Sequence, residues 1–85
     1  MLKVLFFGQI RERLATDQLS LDIAQLPTPL TVKALCEYLA SKGEQWRELI
    51  TTHSCLIAVN QTMANLDTPI NGHDEVAIFP PVTGG

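Results

Sequence analysis

Apolar and polar positions alternate along this chain with two different periods, and the places where the period changes divide it into elements. Residues 2–7 are apolar except for Lys3, and Val4, Phe6 and Phe7 are good strand formers, so a first strand is predicted there, broken at Gly8. Ile10 and Leu14 stand at i and i+4 within residues 9–15, the spacing of one face of a short helix. Thr16-Asp17-Gln18 is turn chemistry. Leu19, Leu21 and Ile23 then alternate with Ser20, Asp22 and Ala24, the period of a half-buried strand. This strand lies close enough to the first to pair with it as a hairpin. Pro27 and Pro29 end it and disfavour helix at the residues before them.

Thr31 is a good helix N-cap, and Val32, Leu35, Cys36 and Leu39 follow the helical period. Lys33, Glu37 and Lys42 fall on the opposite face. The main helix is therefore expected over residues 31–42, with Gly43 as its C-terminal stop. Residues 44–50 carry a further helical turn or two through Trp46, Leu49 and Ile50, and 51–54 form a polar loop. Residues 55–59 read as a strong strand, and Asn60-Gln61 predicts a tight hairpin into 62–64. Turn formers crowd 65–74. Residues 75–79 are the last strand, closed by Pro80-Pro81, which cannot donate ladder hydrogen bonds.

Hairpin, long helix, then strands, on 85 residues, is an α+β pattern of the ubiquitin-like β-grasp kind: a mixed sheet packed on one main helix, its first and last strands parallel at the centre. The globular part is expected to span residues 1–79, with 80–85 as an extended tail. Strand parity then divides the faces. If Val4 and Phe6 meet the helix, Lys3, Leu5 and Phe7 face away; if Val76 and Ile78 are inward, Ala77 and Phe79 are outward. A contiguous apolar patch on an uncovered face marks an interaction site.

Composition narrows the function. A chain this short buries a little over ~60% of its unfolded surface, so it supports one modest core and no deep catalytic cavity. Six Lys and Arg against nine Asp and Glu give a net charge of -3, without the basic stripe that nucleic acid or an anionic membrane surface requires. No apolar run approaches the roughly 20 residues that cross a bilayer. The apolar N-terminus is short, interrupted by Lys3 and followed by Arg11, Glu12 and Arg13, unlike a signal peptide. Cys36 and Cys55 lack metal-ligand spacing and read as reduced, largely buried thiols, so a cytoplasmic protein is expected.

The ending, Phe79-Pro80-Pro81-Val82-Thr83-Gly84-Gly85, holds the candidate chemistry. Two prolines stiffen its base. Fully extended, the segment from Pro80 onward reaches roughly 20 Å. A Gly-Gly end is the narrowest possible peptide, able to thread a slot and present its carboxylate inside another protein. A free carboxylate is a poor acyl electrophile. Adenylation by ATP converts it to a mixed anhydride, and a sulfur nucleophile then makes a thiocarboxylate, which can deliver sulfur onward. The chain has no Walker loop and no GxGxxG, so an activating enzyme must supply the adenylation.

Residues 1–9, Ala58-Val59-Asn60-Gln61-Thr62, Gly72-His73-Asp74-Glu75-Val76-Ala77 and the Phe-Pro-Pro-Val-Thr-Gly-Gly ending closely resemble the small subunits of molybdopterin synthase, in the ThiS/MoaD sulfur-carrier family. The resemblance weakens around 15–30 and 43–54, and Thr83 stands where the family often has Ala. It implies a cycle. A MoeB-like enzyme uses ATP to adenylate Gly85, with no cofactor bound stably by the carrier. A cysteine-desulfurase route then converts Gly85 to the thiocarboxylate, with Gly84 there to be thin. The tail through Pro80, Pro81, Val82 and Thr83 enters the large subunit, MoaE, within a heterotetramer. Two sulfurs, from two carriers in turn, convert cyclic pyranopterin monophosphate to the molybdopterin dithiolene. The resemblance also carries Phe7, Met63 and Phe79 over as partner contacts, with Arg11 a candidate at the charged rim.

Two other readings stay open at this point: a sulfur carrier for thiamine or another pathway, and a ubiquitin-like modifier conjugated to lysines. The remaining candidates read as structural. His53 and His73 are loop histidines without a partner in spacing. Asp74-Glu75 are adjacent and point apart. Cys36 and Cys55 have no neighbouring cation to activate them. Trp46 is expected to pack over the helix end.

Overall fold

A computed structural model describes residues 1–52 and 55–80. The elements follow in the order β1 (Leu2–Phe6), α1 (Gly8–Leu14), β2 (Gln18–Leu21), α2 (Val32–Ala40), α3 (Glu44–Arg47), β3 (Leu56–Val59), β4 (Thr62–Met63) and β5 (Glu75–Phe79). A 3-10 turn at Ile23–Gln25 follows β2, and a π turn at Glu48–Thr52 continues α3. The sheet order is β2-β1-β5-β3-β4. β1 and β5 run parallel at its centre, and the other neighbours are antiparallel. This is the mixed β-grasp sheet that the hydrophobic pattern predicts.

The alternation of β1 sets the layers. Leu2, Val4 and Phe6 are all but fully buried, while Lys3 is exposed and Leu5 half-buried. Val76 and Ile78 of β5 and Ile57 of β3 join them on the inner face, and α2 covers that face with Val32, Leu35, Cys36 and Leu39. Ile10 and Leu14 of α1 close one end of the core. Trp46 meets Phe6 edge-to-face, ring centroids 5.5 Å apart at 83°, so it does seal the core beside the end of α2. Lys42 spans Tyr38 and Trp46, its Nζ 5.7 and 5.6 Å from the two ring centroids.

The start of α2 leaves no donor idle. Thr31 Oγ1 accepts from the Ala34 N–H at 3.2 Å, as its N-cap role predicts. The Val32 and Lys33 N–H groups donate to the carbonyls of Thr68 and Leu66, each at 3.0 Å. The irregular stretch after β4 is therefore the second half of this cap, and Ile70 N–H returns to Leu30 O at 3.0 Å.

Three boundaries differ from the sequence expectation. The second strand stops at Leu21, because Asp22 caps the 3-10 turn by accepting from Ala24 N–H at 3.0 Å. Ile23 is thereby exposed and packs over Gly72. Gly43 is not a left-handed C-terminal stop. Its φ of 163° is extended backbone, and it serves as the N-cap of α3. α2 ends instead through Ser41, whose N–H reaches back to the carbonyls of Glu37 and Tyr38. Thr51 and Thr52 belong to the π turn rather than a loop.

Candidate functional site

The uncovered face of the sheet is ordered in rows by strand register. Leu5, Ala77, Ala58 and Met63 stand opposite one another in turn across β1, β5, β3 and β4. One step toward the end of β5, Phe79 faces Leu56. Phe7, just beyond β1, is held by its N–H to the Ile78 carbonyl at 3.1 Å. In the other direction the row is polar, with Lys3 between Ser20 and Glu75. The apolar rows therefore gather at the end where β5 delivers the chain to Pro80.

Of the predicted contact residues, Phe7 is 44% and Met63 58% exposed, too much for core side chains. Phe79 and Pro80 are half-buried at the rim, and Arg11 is exposed on α1. Strand parity is thus borne out on both faces. Pro81, Val82, Thr83, Gly84 and Gly85 lie outside the described residues, as does His53.

Chemistry elsewhere among the described residues is quiet. Burial, with Cys55 and Glu37 nearby, pushes the Cys36 thiol up to about 11. Burial also raises Cys55, whose thiol donates to Leu49 O at 3.0 Å. Neither is a thiolate nucleophile at neutral pH. Asp74 is a turn clasp. Its Oδ1 accepts from Asn60 Nδ2 at 2.9 Å, and its Oδ2 from the Asn71 N–H at 2.8 Å. His73 is exposed in that turn. No three His, Cys, Asp or Glu side chains among the described residues converge as metal ligands. An open groove of about 150 Å³ runs beside Cys55, Met63 and Leu66, well under the ~300 Å³ lower bound for a small-molecule pocket. No helix among the described residues is long and apolar enough to cross a membrane.

Two relationships escaped the sequence reading. The Asn60–Asp74 clasp joins residues far apart in the chain; its sole local trace is Asn60 in a hairpin position that favours positive φ. The other lies at the root of the tail, where Gly8 and Pro80 meet: a Cβ added to Gly8 would stand 2.9 Å from Pro80 Cγ.

The arrangement sets an exposed apolar face beside the point where β5 hands the chain to Pro80. Comparison with known proteins gives the family. The ThiS family model matches residues 4–85. The molybdopterin synthase sulfur carrier subunit of Escherichia coli (strain K12) is 45% identical over the whole of both chains. A putative molybdopterin converting factor, subunit 1, from Pyrococcus furiosus superposes with a TM-score of 0.77 at 26% identity, covering 95% of this chain and 97% of that one. A Helicobacter pylori structure described as a complex of subunits 1 and 2 of molybdopterin-converting factor gives a TM-score of 0.65 at 28% identity, covering 99% and 97%.

Proposed function

The chain belongs to the ThiS family, and from that premise we propose that it is the sulfur-carrier subunit of a molybdopterin synthase. The observation that carries the proposal is the full-length likeness to a carrier subunit of that synthase, joined to an apolar sheet face gathered at the root of a Gly-Gly tail.

The Gly85 carboxylate attacks the α-phosphorus of ATP in an adenylating partner, releasing pyrophosphate and leaving an acyl adenylate. The terminal sulfur of a persulfide donor attacks the acyl carbon and expels AMP, leaving an acyl disulfide. A second thiol cleaves the S–S bond by forming a disulfide with the donor, and Gly85 is left as the thiocarboxylate. The thiocarboxylate sulfur bonds to a side-chain carbon of cyclic pyranopterin monophosphate and displaces an oxygen there, and water then cleaves the resulting thioester, leaving the sulfur on the pterin and restoring the carboxylate. The carrier has no residue among those described that this reading assigns as acid, base or metal ligand in these steps. Its part is to dock through Phe7, Met63 and Phe79, and to deliver Gly85 through a segment in which Gly84 has no side chain to obstruct entry.

The partner is a large synthase subunit, as in the Helicobacter pylori complex, which pairs the same two kinds of subunit. Two carriers and two large subunits make the heterotetramer of this proposal, and Arg11 sits at its charged rim. Two free thiols suit the reducing cytoplasm.

Intact-mass analysis tests the reading. After incubation with the adenylating enzyme, ATP and a sulfur source, the chain should gain the mass difference between sulfur and oxygen, localised to Gly85. Deleting Gly85 should abolish that gain and leave the melting temperature unchanged. A chain that stays unmodified, or one recovered as an isopeptide on lysines instead, overturns it.

A further inference from the structure

We propose that Asn71 is a modification site: it deamidates spontaneously through a succinimide to aspartate and isoaspartate, and this conversion loosens the turn that leads into β5. The inference stands apart from the carrier reading, since this turn lies at the polar end of the open face, away from Pro80.

Asparagine is a thermolabile residue, and the structure separates the three in this chain. Asn60 is held at both side-chain atoms. Its Nδ2 donates to Asp74 Oδ1 at 2.9 Å, and its Oδ1 accepts the Glu75 N–H at 3.0 Å. Asn65 Oδ1 accepts the Asp67 N–H at 2.9 Å and the Thr68 hydroxyl at 3.3 Å. The exposed Asn71 side-chain amide has no hydrogen-bond partner among the described residues. The following residues differ in the same sense. Ring closure brings the next backbone nitrogen onto the asparagine Cγ, and a side chain on that next residue obstructs it. Gln61 and Leu66 follow Asn60 and Asn65, but Gly72 follows Asn71. The packing favours glycine there, because a Cβ at Gly72 would stand 3.2 Å from Ile23 Cγ2. The Gly72 N–H also has no partner among the described residues.

The steps balance with water alone. The Gly72 nitrogen gives its proton to solvent and bonds to Asn71 Cγ. The Cγ–Nδ2 bond breaks, and the nitrogen leaves as ammonia after taking up a proton. Water then opens the imide. Cleavage between the Gly72 nitrogen and Cγ gives aspartate. Cleavage between that nitrogen and the main-chain carbonyl carbon gives isoaspartate, with the chain now running through the side chain.

Both products disturb this turn. Asn71 closes it with two backbone groups: its N–H donates to Asp74 Oδ2 at 2.8 Å, and its carbonyl accepts the Asp74 N–H at 3.2 Å. Isoaspartate takes that carbonyl out of the main chain and adds a methylene to the backbone. Aspartate places a negative charge close to Asp74 and Glu75. Ile70, the preceding residue, is buried and donates its N–H to Leu30 O at 3.0 Å, so the disturbance reaches the segment leading into α2.

The test incubates the full-length chain, native and urea-unfolded, at mildly alkaline pH and follows each asparagine by fragment mass spectra. In the native chain Asn71 should exchange NH for O at least tenfold faster than Asn60 or Asn65, and within tenfold of its own rate in the unfolded chain. Aspartate and isoaspartate should both form. Gly72→Ala should slow the reaction tenfold or more; if that variant does not fold, the ranking of the asparagines in the wild type decides. The modified chain, separated by its added negative charge, should melt several degrees below the unmodified one. A native Asn71 no faster than Asn60 and Asn65, aspartate formed without isoaspartate, or a modified chain that melts with the unmodified one overturns the proposal.

Discussion

Asn60 and Asp74 clasp the β3–β4 hairpin onto the start of β5. The Asn60 amide nitrogen donates to Asp74 Oδ1 at 2.9 Å, and the Asn60 side-chain oxygen accepts the Glu75 N–H at 3.0 Å. The Asn60 backbone N–H adds a third link, to Glu75 O at 2.8 Å. The clasp sits at the polar end of the open face, away from Pro80, so it fixes β5 at one end and leaves the other to deliver the tail.

Asn60 has φ +50°, which asparagine and glycine tolerate better than alanine. Asn60→Gly should cost only the exposed side-chain hydrogen bonds, about 1 kcal/mol. Asn60→Ala adds backbone strain of about 1 kcal/mol more. Urea unfolding of the three proteins should rank them wild type, Gly, Ala. An Ala variant as stable as the Gly variant would show that backbone conformation is not the limiting factor.

Substitutions on opposite faces of the sheet should separate binding from folding. Phe7→Asp or Met63→Asp alters an exposed side chain and should leave the melting temperature within a few degrees. Either should weaken capture of the large subunit tenfold or more, by placing a charge in an apolar contact. Phe6→Ala, on the buried face, should instead destabilise the fold by about 3–5 kcal/mol. Calorimetric titration beside thermal melts gives both readouts.

Trp46 contributes through contact rather than reactivity. Its edge-to-face packing on Phe6 and its share of Lys42 are both lost in Trp46→Ala, for an expected loss of about 3 kcal/mol. Lys42→Met keeps the apolar stem and should cost less than about 1 kcal/mol. Denaturant midpoints at constant slope check the pair.

The Cys36 thiol gives the stability a pH dependence of known sign. Burial raises it to about 11 in the folded state, from an ordinary value of 9.0. The folded chain therefore keeps a proton that the unfolded chain releases. The resulting stabilisation is complete below about pH 9 and is lost as pH rises toward 11. The stability difference between wild type and Cys36→Ala should be constant from pH 6 to 8 and fall above pH 9, since titrating groups that do not interact with Cys36 cancel in the comparison. At pH 7 the native thiols should react with iodoacetamide far more slowly than the thiols of the urea-unfolded chain. Rapid native labelling of Cys36 would contradict its burial.

The sequence by itself determined what depends on local periodicity. Alternation in β1 and β5 assigned Val4, Phe6, Val76 and Ile78 to the core and Phe7 and Phe79 to the open face, and the 3.6-residue spacing of Val32, Leu35 and Leu39 placed α2 upon it. The Asn60-Gln61 turn was legible because its positive φ values, +50° and +69°, restrict which residues can occupy it. Gly84 and Gly85 stood out as candidates because their chemistry is that of a chain end and needs no neighbour. Boundaries were harder to read, because Asp22 and Ser41 end their elements through hydrogen bonds that compete with continuing the strand or the helix. What only the tertiary structure decided was contact between distant residues. The carbonyls of Leu66 and Thr68 cap α2, Asp74 closes on Asn60, and Pro80 rests against Gly8. The first joins the return segment after β4 to the start of α2, the second follows the antiparallel β3–β5 pair and the third the parallel β1–β5 pair, and periodicity within any one segment carries no record of those distances.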